Sequence, residues 1–425
     1  MKKTEICKRI IRSITSYIDS PDCLEAHRSH NHFIRKRKLS FKQVVMYLLY
    51  SSKASMFQNL ATILDDLGSD TFPLVSKQAV SKARGGIRPS LFQELFNLSV
   101  DIFYKNIGKR KTWHGMHVFA IDGSKFQLPN SKSNFDEFIE MYDTHNPDKK
   151  YSMALASMVY DVLDDYIIHA SINPYLSSER QAALTHLKII EDLDIHKDSV
   201  VVFDRGYFAE WLFRFCTDNN HLCVMRLQEK VKMTRYAHGD IITVLPGNAK
   251  AHTDDIKIRV IAVPLESGET EYLATNIFDK SITADMFKEL YFLRWPVESK
   301  YYELKYRVNI EEFNGATSNS IRQEFFINLL ISNLASLIKN AADDEIDSRA
   351  NPSNRYRYQA NRTFIIGRLK RLFPKVLFGL CDVSVIDKIF DEALTRKSQI
   401  QPGRKRQRRR IDGRRKHFRN SKTTI

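Results

Sequence analysis

The stretch Ser199-Val-Val-Val-Phe-Asp204-Arg-Gly-Tyr207 decides the fold class. Its four consecutive apolar residues predict a short strand buried on both faces, because a strand with one solvated face carries polar residues at every second position. Such strands lie in the centre of a sheet that helices cover on both sides. We therefore expect an α/β protein in which Asp204 stands at the end of a central strand.

The segments around this strand continue the pattern. Val118-Phe-Ala-Ile-Asp122 is a second apolar run, which Gly123-Ser124 interrupts. The other predicted elements of this region are strands at 151–160, 166–172 and 221–227 and helices at 177–190 and 209–216. Strands that alternate with helices in this order predict a mixed sheet in a layered α/β domain.

Flanking segments differ in character from this core. In the first 110 residues, the predicted helix at 75–84 is capped by Ser76 and presents Ser, Lys, Gln and Arg, which can reach phosphates and base edges. A helix-turn-helix-like module and an ordinary helical bundle both fit this region. The predicted domains are a helical DNA-binding region at 1–110, an α/β domain at 111–229 and 279–316, a β-rich segment at 230–278 between its two parts, a C-terminal helical region at 317–395 and a disordered basic tail at 396–425.

Positive charge is concentrated at the end of the chain. The whole chain has a formal net charge of +16, and residues 396–425 contain 13 Lys or Arg against one acid, Asp412. This segment has too few apolar residues to fold, so we expect a disordered arm that gains affinity for phosphates by counterion release. A solvated tail without a specific partner is the alternative.

Cysteine spacing and hydropathy indicate the compartment. The five cysteines lie far apart without a C-x-x-C pair, which argues against a disulfide scaffold and fits a reducing cytosol. The most apolar stretch, at 325–338, is shorter than the roughly 20 residues of a membrane span and carries two asparagines. We expect a soluble cytoplasmic protein and no membrane partner.

Two aspartates and one helix carry the candidate chemistry. Asp122 and Asp204 each follow an apolar strand, and carboxylates at neighbouring strand ends can converge on the hard-oxygen site that Mg²⁺ prefers. Each aspartate alone is equally well explained as an ordinary residue at a strand end or turn. On one continuous helix, Tyr291, Arg294, Glu298 and Lys305 fall within an arc of about 60°. Pairing of Arg294 with Glu298 on a solvated helix is the alternative.

These residues together resemble bacterial insertion-sequence transposases with a DDE catalytic triad. The group in question, the insertion sequence four family, carries the signature Y-x2-R-x3-E-x6-K, which is complete here in Tyr291, Arg294, Glu298 and Lys305. The first and second acids of the triad match Ile121-Asp122-Gly123-Ser124 and Phe203-Asp204-Arg205-Gly206-Tyr207. The resemblance extends from about residue 75 to about residue 338.

The resemblance implies a fold and a set of roles. The fold would be an RNase H-like mixed sheet with a β-strand insertion, flanked by helical regions. Asp122, Asp204 and Glu298 would hold two Mg²⁺ ions, with Mn²⁺ as a substitute. The residues expected to contact DNA are Tyr291, Arg294 and Lys305 at phosphates, Trp295 by stacking unless it is a core tryptophan, and Arg205 and Tyr207 after the second acid.

The implied function is cut-and-paste DNA transposition by metal-dependent cleavage and strand transfer. Its partners would be double-stranded DNA, both the terminal inverted repeats and the target, and a second copy of the chain, because a homodimer is expected on paired ends. Two alternatives remain. One is an RNase H-like nuclease that cuts DNA without joining it, and the other is a catalytically dead DNA-binding relic.

Overall fold

The structure is a computed structural model that describes residues 1–142, 146, 150–228, 231–235, 239–247, 252–265 and 268–400. Two compact units make up the chain, and each is assembled from separate segments. The helical unit contains Met1–Gly108, Phe126–Ala154 and the chain from Glu303 on, and the sheet unit contains Lys109–Lys125 and Leu155–Tyr302. Of the basic tail predicted to be disordered at 396–425, Lys397–Ile400 form a strand that pairs with Arg357–Ala360, so the prediction is wrong there, and residues 401–425 lie outside the described residues. The other predicted domain boundaries remain predictions.

Strands are concentrated in the middle of the chain. They are β1 (His117–Leu128), β2 (Glu140–Tyr142), β3 (Lys150–Asp161), β4 (Tyr166–Pro174), β5 (Ser199–Phe203), β6 (Leu222–Arg226), β7 (Asp240–Leu245), β8 (Ile256–Pro264), β9 (Thr270–Thr275), β10 (Arg357–Ala360) and β11 (Lys397–Ile400). All five residues of β5 are buried. This agrees with the prediction that β5 is a central strand.

Helices occupy both ends of the chain and the connections between strands. They are α1 (Lys3–Ile18), α2 (Pro21–His27), α3 (Phe41–Tyr50), α4 (Met56–Leu67), α5 (Lys77–Gly85), α6 (Ser90–Asn106), α7 (Lys132–Glu137), α8 (Glu179–Asp192), α9 (Glu210–Asp218), α10 (Ala284–Phe292), α11 (Trp295–Tyr306), α12 (Ser318–Ser348), α13 (Arg362–Leu377) and α14 (Val385–Thr395). A short 3₁₀ turn spans Lys232–Arg235. Ser76, as predicted, caps α5 by accepting a hydrogen bond from the backbone N–H of Ala79.

In the sheet unit the strand order is β4-β3-β1-β5-β6-β9-β8-β7. Strands β1, β5 and β6 are parallel, and β6, β9, β8 and β7 pair antiparallel, so the sheet is mixed. The first five strands in this order form the RNase H-like core that the resemblance implied. Strands β7 to β9, which come from the predicted insertion, extend the same sheet through the pairing of β9 with β6.

The helical unit is built around α12. This helix packs against α1, α6, α13 and α14, and most of its side chains are buried. Within the described residues, α12 is the one helix long and apolar enough to cross a membrane, and 89% of its most apolar window is buried inside the protein. Such burial is what a core helix shows.

Two local predictions were wrong, and one open alternative is decided. Strand β1 continues six residues past Asp122, because Phe126 and Leu128 alternate inward after the Gly123-Ser124 pair. Residues 68–76 separate α4 from α5, whereas a helix-turn-helix has a turn of about 3–4 residues, so the structure favours the helical bundle of the two alternatives.

The second wrong prediction is the continuous helix through the signature residues. The predicted continuous helix is interrupted after Phe292, and a new helix, α11, begins at Trp295. Pro296 is the second residue of α11, where its missing N–H leaves no helical hydrogen bond unmade. The signature residues therefore lie on two helices and the link between them, and a single helical wheel does not describe their geometry.

Candidate active site

Strand register brings the first two acids side by side. Strands β1 and β5 are parallel, and the last pair in their register is Ile121 with Phe203. Asp122 is the next residue of β1, and Asp204 is the first residue after β5. Neighbouring strands lie roughly 4.8 Å apart, so the two aspartates lie side by side at the same level of the sheet.

The signature residues join this pair from the other side. The Tyr291 hydroxyl donates a hydrogen bond to Asp204 Oδ1 at 3.2 Å. Arg294 Nη2 lies 2.9 Å from Glu298 Oε1 and 3.9 Å from Asp204 Oδ1. Glu298 is in the first turn of α11. The structure therefore gathers Asp204, Tyr291, Arg294 and Glu298, which are up to 94 residues apart in the chain, into one polar cluster.

Arg294 is the cation at the centre of this cluster. Its side chain is only 5% exposed, while those of Asp204 and Glu298 are 41% and 37% exposed. The guanidinium lies near the rings of Tyr291 and Trp295, with centroid distances of 5.7 and 5.3 Å. Its Nε is buried and has no hydrogen-bond partner. Arg294 thus bridges two carboxylates, and its predicted contact with DNA phosphates remains a prediction.

Asp122 is the most strongly perturbed acid of the site. The pKa of its carboxyl is raised to about 7, chiefly by burial and also by the charges of Asp204 and Glu298. The Gly123 N–H, which donates to Asp122 Oδ1 at 2.9 Å, and the Arg294 charge both act to lower it. A buried acid among other acids binds a proton when too little positive charge is near.

The donor set fits a divalent cation. Three carboxylates supply only oxygen ligands, and one arginine neutralises only part of their charge. The raised pKa of Asp122 indicates that the site contains too little positive charge for its carboxylates. Within the part of the chain that the structure describes, no three His, Cys, Asp or Glu side chains already stand in metal-binding geometry. Metal loading would therefore require Glu298 to exchange its bond with Arg294 for the cation.

The other predicted DNA contacts differ in accessibility. Trp295 is 45% exposed, so it is not a core tryptophan. Arg205 is exposed. Tyr207 is 1% exposed and its ring packs 5.7 Å from that of Phe203. The predicted contact of Tyr207 with DNA is wrong for this structure, because its side chain is buried beside Asp122 and Glu179, and burial together with the charges of these two acids raises the pKa of its hydroxyl.

Lys305, the last signature residue, belongs to the helical unit. Its Nζ lies 3.7 Å from Glu311 Oε1 and 4.9 Å from the centre of the Phe126 ring. Burial lowers the pKa of its ammonium group, while Glu311 raises this pKa. Its predicted phosphate contact remains a prediction.

Two neighbours of Asp122 were missed at the level of sequence. The Tyr301 hydroxyl donates to the Asp122 carbonyl oxygen at 2.9 Å. Glu179 packs against Gly123 so closely that a Cβ on that glycine would lie 3.0 Å from the Glu179 carboxyl carbon. A signal for Tyr301 was present, since it follows Glu298 by three residues on one helix. Glu179 carried no local signal, because its position depends on where α8 packs.

Comparison with known proteins agrees with this geometry. The profile described as "Transposase DDE domain" matches residues 113–334, which is more than half of the chain. The chain belongs to the transposase DDE domain family. The resemblance drawn from the three acidic motifs is thereby confirmed. Residues 113–334 contain Asp122, Asp204 and Glu298, together with the complete Y-R-E-K signature.

Individual relatives of this DDE family member are distant. It is 25% identical over 200 residues to the putative transposase InsZ of Escherichia coli (strain K12), covering 46% of this chain and 62% of InsZ. It is 19% identical over 286 residues to the transposase InsG for insertion sequence element IS4 of the same organism, covering 64% and 63%. The chain thus spans less than two thirds of the length of these relatives. A cryo-EM structure of the piggyBac transposase synaptic complex with hairpin DNA is similar at 10% identity and a TM-score of 0.49, covering 93% of this chain and 85% of that one.

Proposed function

We propose that this protein is a DNA transposase that cleaves the ends of its element and joins them to target DNA. The observation that carries the proposal is the cluster that Asp204, Arg294 and Glu298 form, with Asp122 beside it on the neighbouring strand β1. Family membership supports the same reading. A site with three carboxylates and no serine or cysteine nucleophile suits direct displacement at a phosphodiester.

The chemistry assigned to this site is two-metal phosphodiester cleavage and strand transfer. Two Mg²⁺ ions held by the three carboxylates would activate the attacking oxygen and stabilise the leaving one. Glu298 would help to hold the cation, and Arg294, once released from its bond with Glu298, would be available to a phosphate oxygen. Trp295 and Arg205, both exposed, flank the acids and offer stacking and charge to the strand being cut.

A groove in the helical unit supports DNA binding. Residues 31–35 and 37–39 and one face of α5 line a groove of about 880 Å³. Four cations border it, Arg35, Arg37, Lys38 and Lys82, and within the described chain none of them forms an ion pair. Unneutralised cations along a groove are the electrostatic footprint of a polyanion site.

The outward face of α5 adds hydrogen-bonding groups to this surface. Gln78 and Ser81 are exposed beside Lys77 and Lys82. Amide and hydroxyl side chains of this kind can read base edges, while the cations hold the backbone. We assign this surface to the terminal inverted repeats and the acidic site to cleavage.

Cutting two ends implies a homodimer, and action on DNA implies a cytoplasmic location.

One assay separates transposition from simple cleavage. The full chain is incubated with Mg²⁺, a labelled pre-cleaved end and a target plasmid. A transposase gives covalently joined product. Cleavage of an uncut end without any joining would instead indicate an RNase H-like nuclease, and binding without either reaction would indicate a catalytically dead relic.

A further inference from the structure

Tyr301 lies on the same face of α11 as Glu298, one turn further along. Its side chain is almost completely buried, with 6% of the residue exposed. Its ring is therefore fixed by packing, which limits where the hydroxyl can point. None of the three acidic motifs and none of the four signature positions includes it.

The hydroxyl of Tyr301 reaches the backbone of two neighbouring strands. It lies 2.9 Å from the carbonyl oxygen of Asp122 on β1 and 3.3 Å from that of Ala156 on β3. Ser157 Oγ also approaches the Asp122 carbonyl, at the longer distance of 3.5 Å. Of these two side-chain hydroxyls, the one closer to the Asp122 carbonyl thus belongs to the helix that carries Glu298.

A short path therefore joins two of the three acids. It runs from Glu298 through one helical turn to Tyr301, and through one hydrogen bond to the backbone of Asp122. Resting on the function proposed above, we infer that Tyr301 is a positioning residue that sets the separation of the Asp122 and Glu298 carboxylates and thereby the affinity of the site for divalent cations. The hydroxyl acts through the backbone and not by touching the cation.

A second contact also attaches α11 to the sheet. The effect of the Tyr301 hydroxyl on the site can therefore be distinguished from attachment of the helix. Lys300 Nζ is 2.6 Å from Asp165 Oδ1 and lies over the Tyr160 ring, and its side chain is 2% exposed. Tyr160 in turn donates to Asp165. This buried group holds α11 to the β3–β4 turn whether or not Tyr301 has a hydroxyl. Removing that hydroxyl should leave the helix attached but free to change its distance from Asp122.

The test compares Tyr301→Phe with Tyr302→Phe in the full chain. Tyr302 is the next residue on the same helix and is 47% exposed, so its variant removes a hydroxyl of the same kind away from the interior. Mn²⁺ binding is measured by calorimetry without DNA, and folding by thermal melting. Since outer-shell partners of metal ligands are typically worth 10–100-fold in affinity, we expect Tyr301→Phe to bind Mn²⁺ at least about tenfold more weakly and Tyr302→Phe to match the wild type. An affinity within twofold of wild type in folded Tyr301→Phe overturns the inference.

Two further variants keep the result decisive. Para-aminophenylalanine at position 301 retains a donor and should restore Mn²⁺ affinity, whereas a purely structural role predicts no link between donor and affinity. If Tyr301→Phe does not fold, para-fluorophenylalanine fills the hydroxyl volume without donating and takes its place. A wild-type chain that binds no Mn²⁺ and cleaves no DNA would contradict the proposed function. A wild-type chain that does both, together with position-301 variants of unchanged Mn²⁺ affinity, would contradict only the role of Tyr301.

Discussion

The acidic site of the sheet unit and the cationic groove of the helical unit use charge in opposite ways. Asp122 and Arg294 are buried and interact with each other and with Asp204 and Glu298, so each group depends on its neighbours. The cations of the groove are exposed and form no ion pairs among the described residues. Buried charges interact strongly with one another because little solvent lies between them. Water and salt screen exposed charges, so each acts almost independently. The comparison predicts large, all-or-none mutational effects at the site and small, additive ones in the groove.

The largest effect is expected from removing any acid of the triad. Asp122→Ala, Asp204→Ala and Glu298→Ala should each lower the rate of strand cleavage by about 10³-fold or more, because groups that act as a unit are not additive. Binding of end DNA, measured by fluorescence anisotropy, should change little. Asp198→Ala removes an exposed acid just before β5 and serves as the control. Cleavage at the wild-type rate in one triad variant would remove that residue from the site.

The next effect concerns stability in the absence of metal. The pKa of Asp122 is about 7 in the folded protein, against 3.8 as the ordinary value. Between pH 4 and 7 the unfolded chain loses this proton while the folded chain keeps it, so stability falls as pH rises across this window. The full difference corresponds to about 4 kcal/mol as an upper bound.

Asp122→Asn should abolish this dependence and raise the free energy of unfolding at pH 8. Urea unfolding at pH 4 and pH 8, with chelator present, checks it. The same measurement on Asp198→Asn is the control. A variant that is less stable than wild type at pH 8 would contradict the origin assigned to the raised pKa.

A smaller effect is expected at the exposed aromatic residue beside the acids. Stacking of a base on an aromatic ring is worth about 1–3 kcal/mol, so Trp295→Ala should weaken binding of an end with unpaired terminal bases by roughly 5–150-fold. Trp211 is a matched control, since it is also 45% exposed and lies in the same unit. Equal losses for Trp295→Ala and Trp211→Ala would show that the Trp295 ring has no special role.

The smallest single effects belong to the groove. Arg37→Ala and Lys38→Ala should each reduce the slope of log affinity against log salt by about 0.9. Lys36 lies in the same basic run and is exposed, but it does not line the groove. Lys36→Ala should therefore leave the slope close to that of wild type. If all three variants reduce the slope equally, the run acts as a general polyelectrolyte and the groove has no part in DNA binding.

The site and the fold were predictable wherever the signal is local. The four apolar residues before Asp204 and the apolar run before Asp122 predict two buried strands, because a strand buried on both faces is apolar at every position. Ser76 marks the start of α5, because a side-chain cap acts within three residues. The spacing of Tyr291, Arg294 and Glu298 carried enough information to place these residues together, even though the helix expected there proved to be two.

What the sequence determined by itself is the buried strands of the sheet core, the two aspartates that follow their apolar runs, and the family. Only the tertiary structure decided that Tyr207 is buried, that Tyr301 bonds to the backbone of Asp122, and that residues 31–35 and 37–39 form a groove with α5. These facts depend on which helix packs on which strand, and on strand register between segments about 80 residues apart. Periodicity and capping depend on contacts within a few residues along the chain, so they do not predict which distant segments pack together.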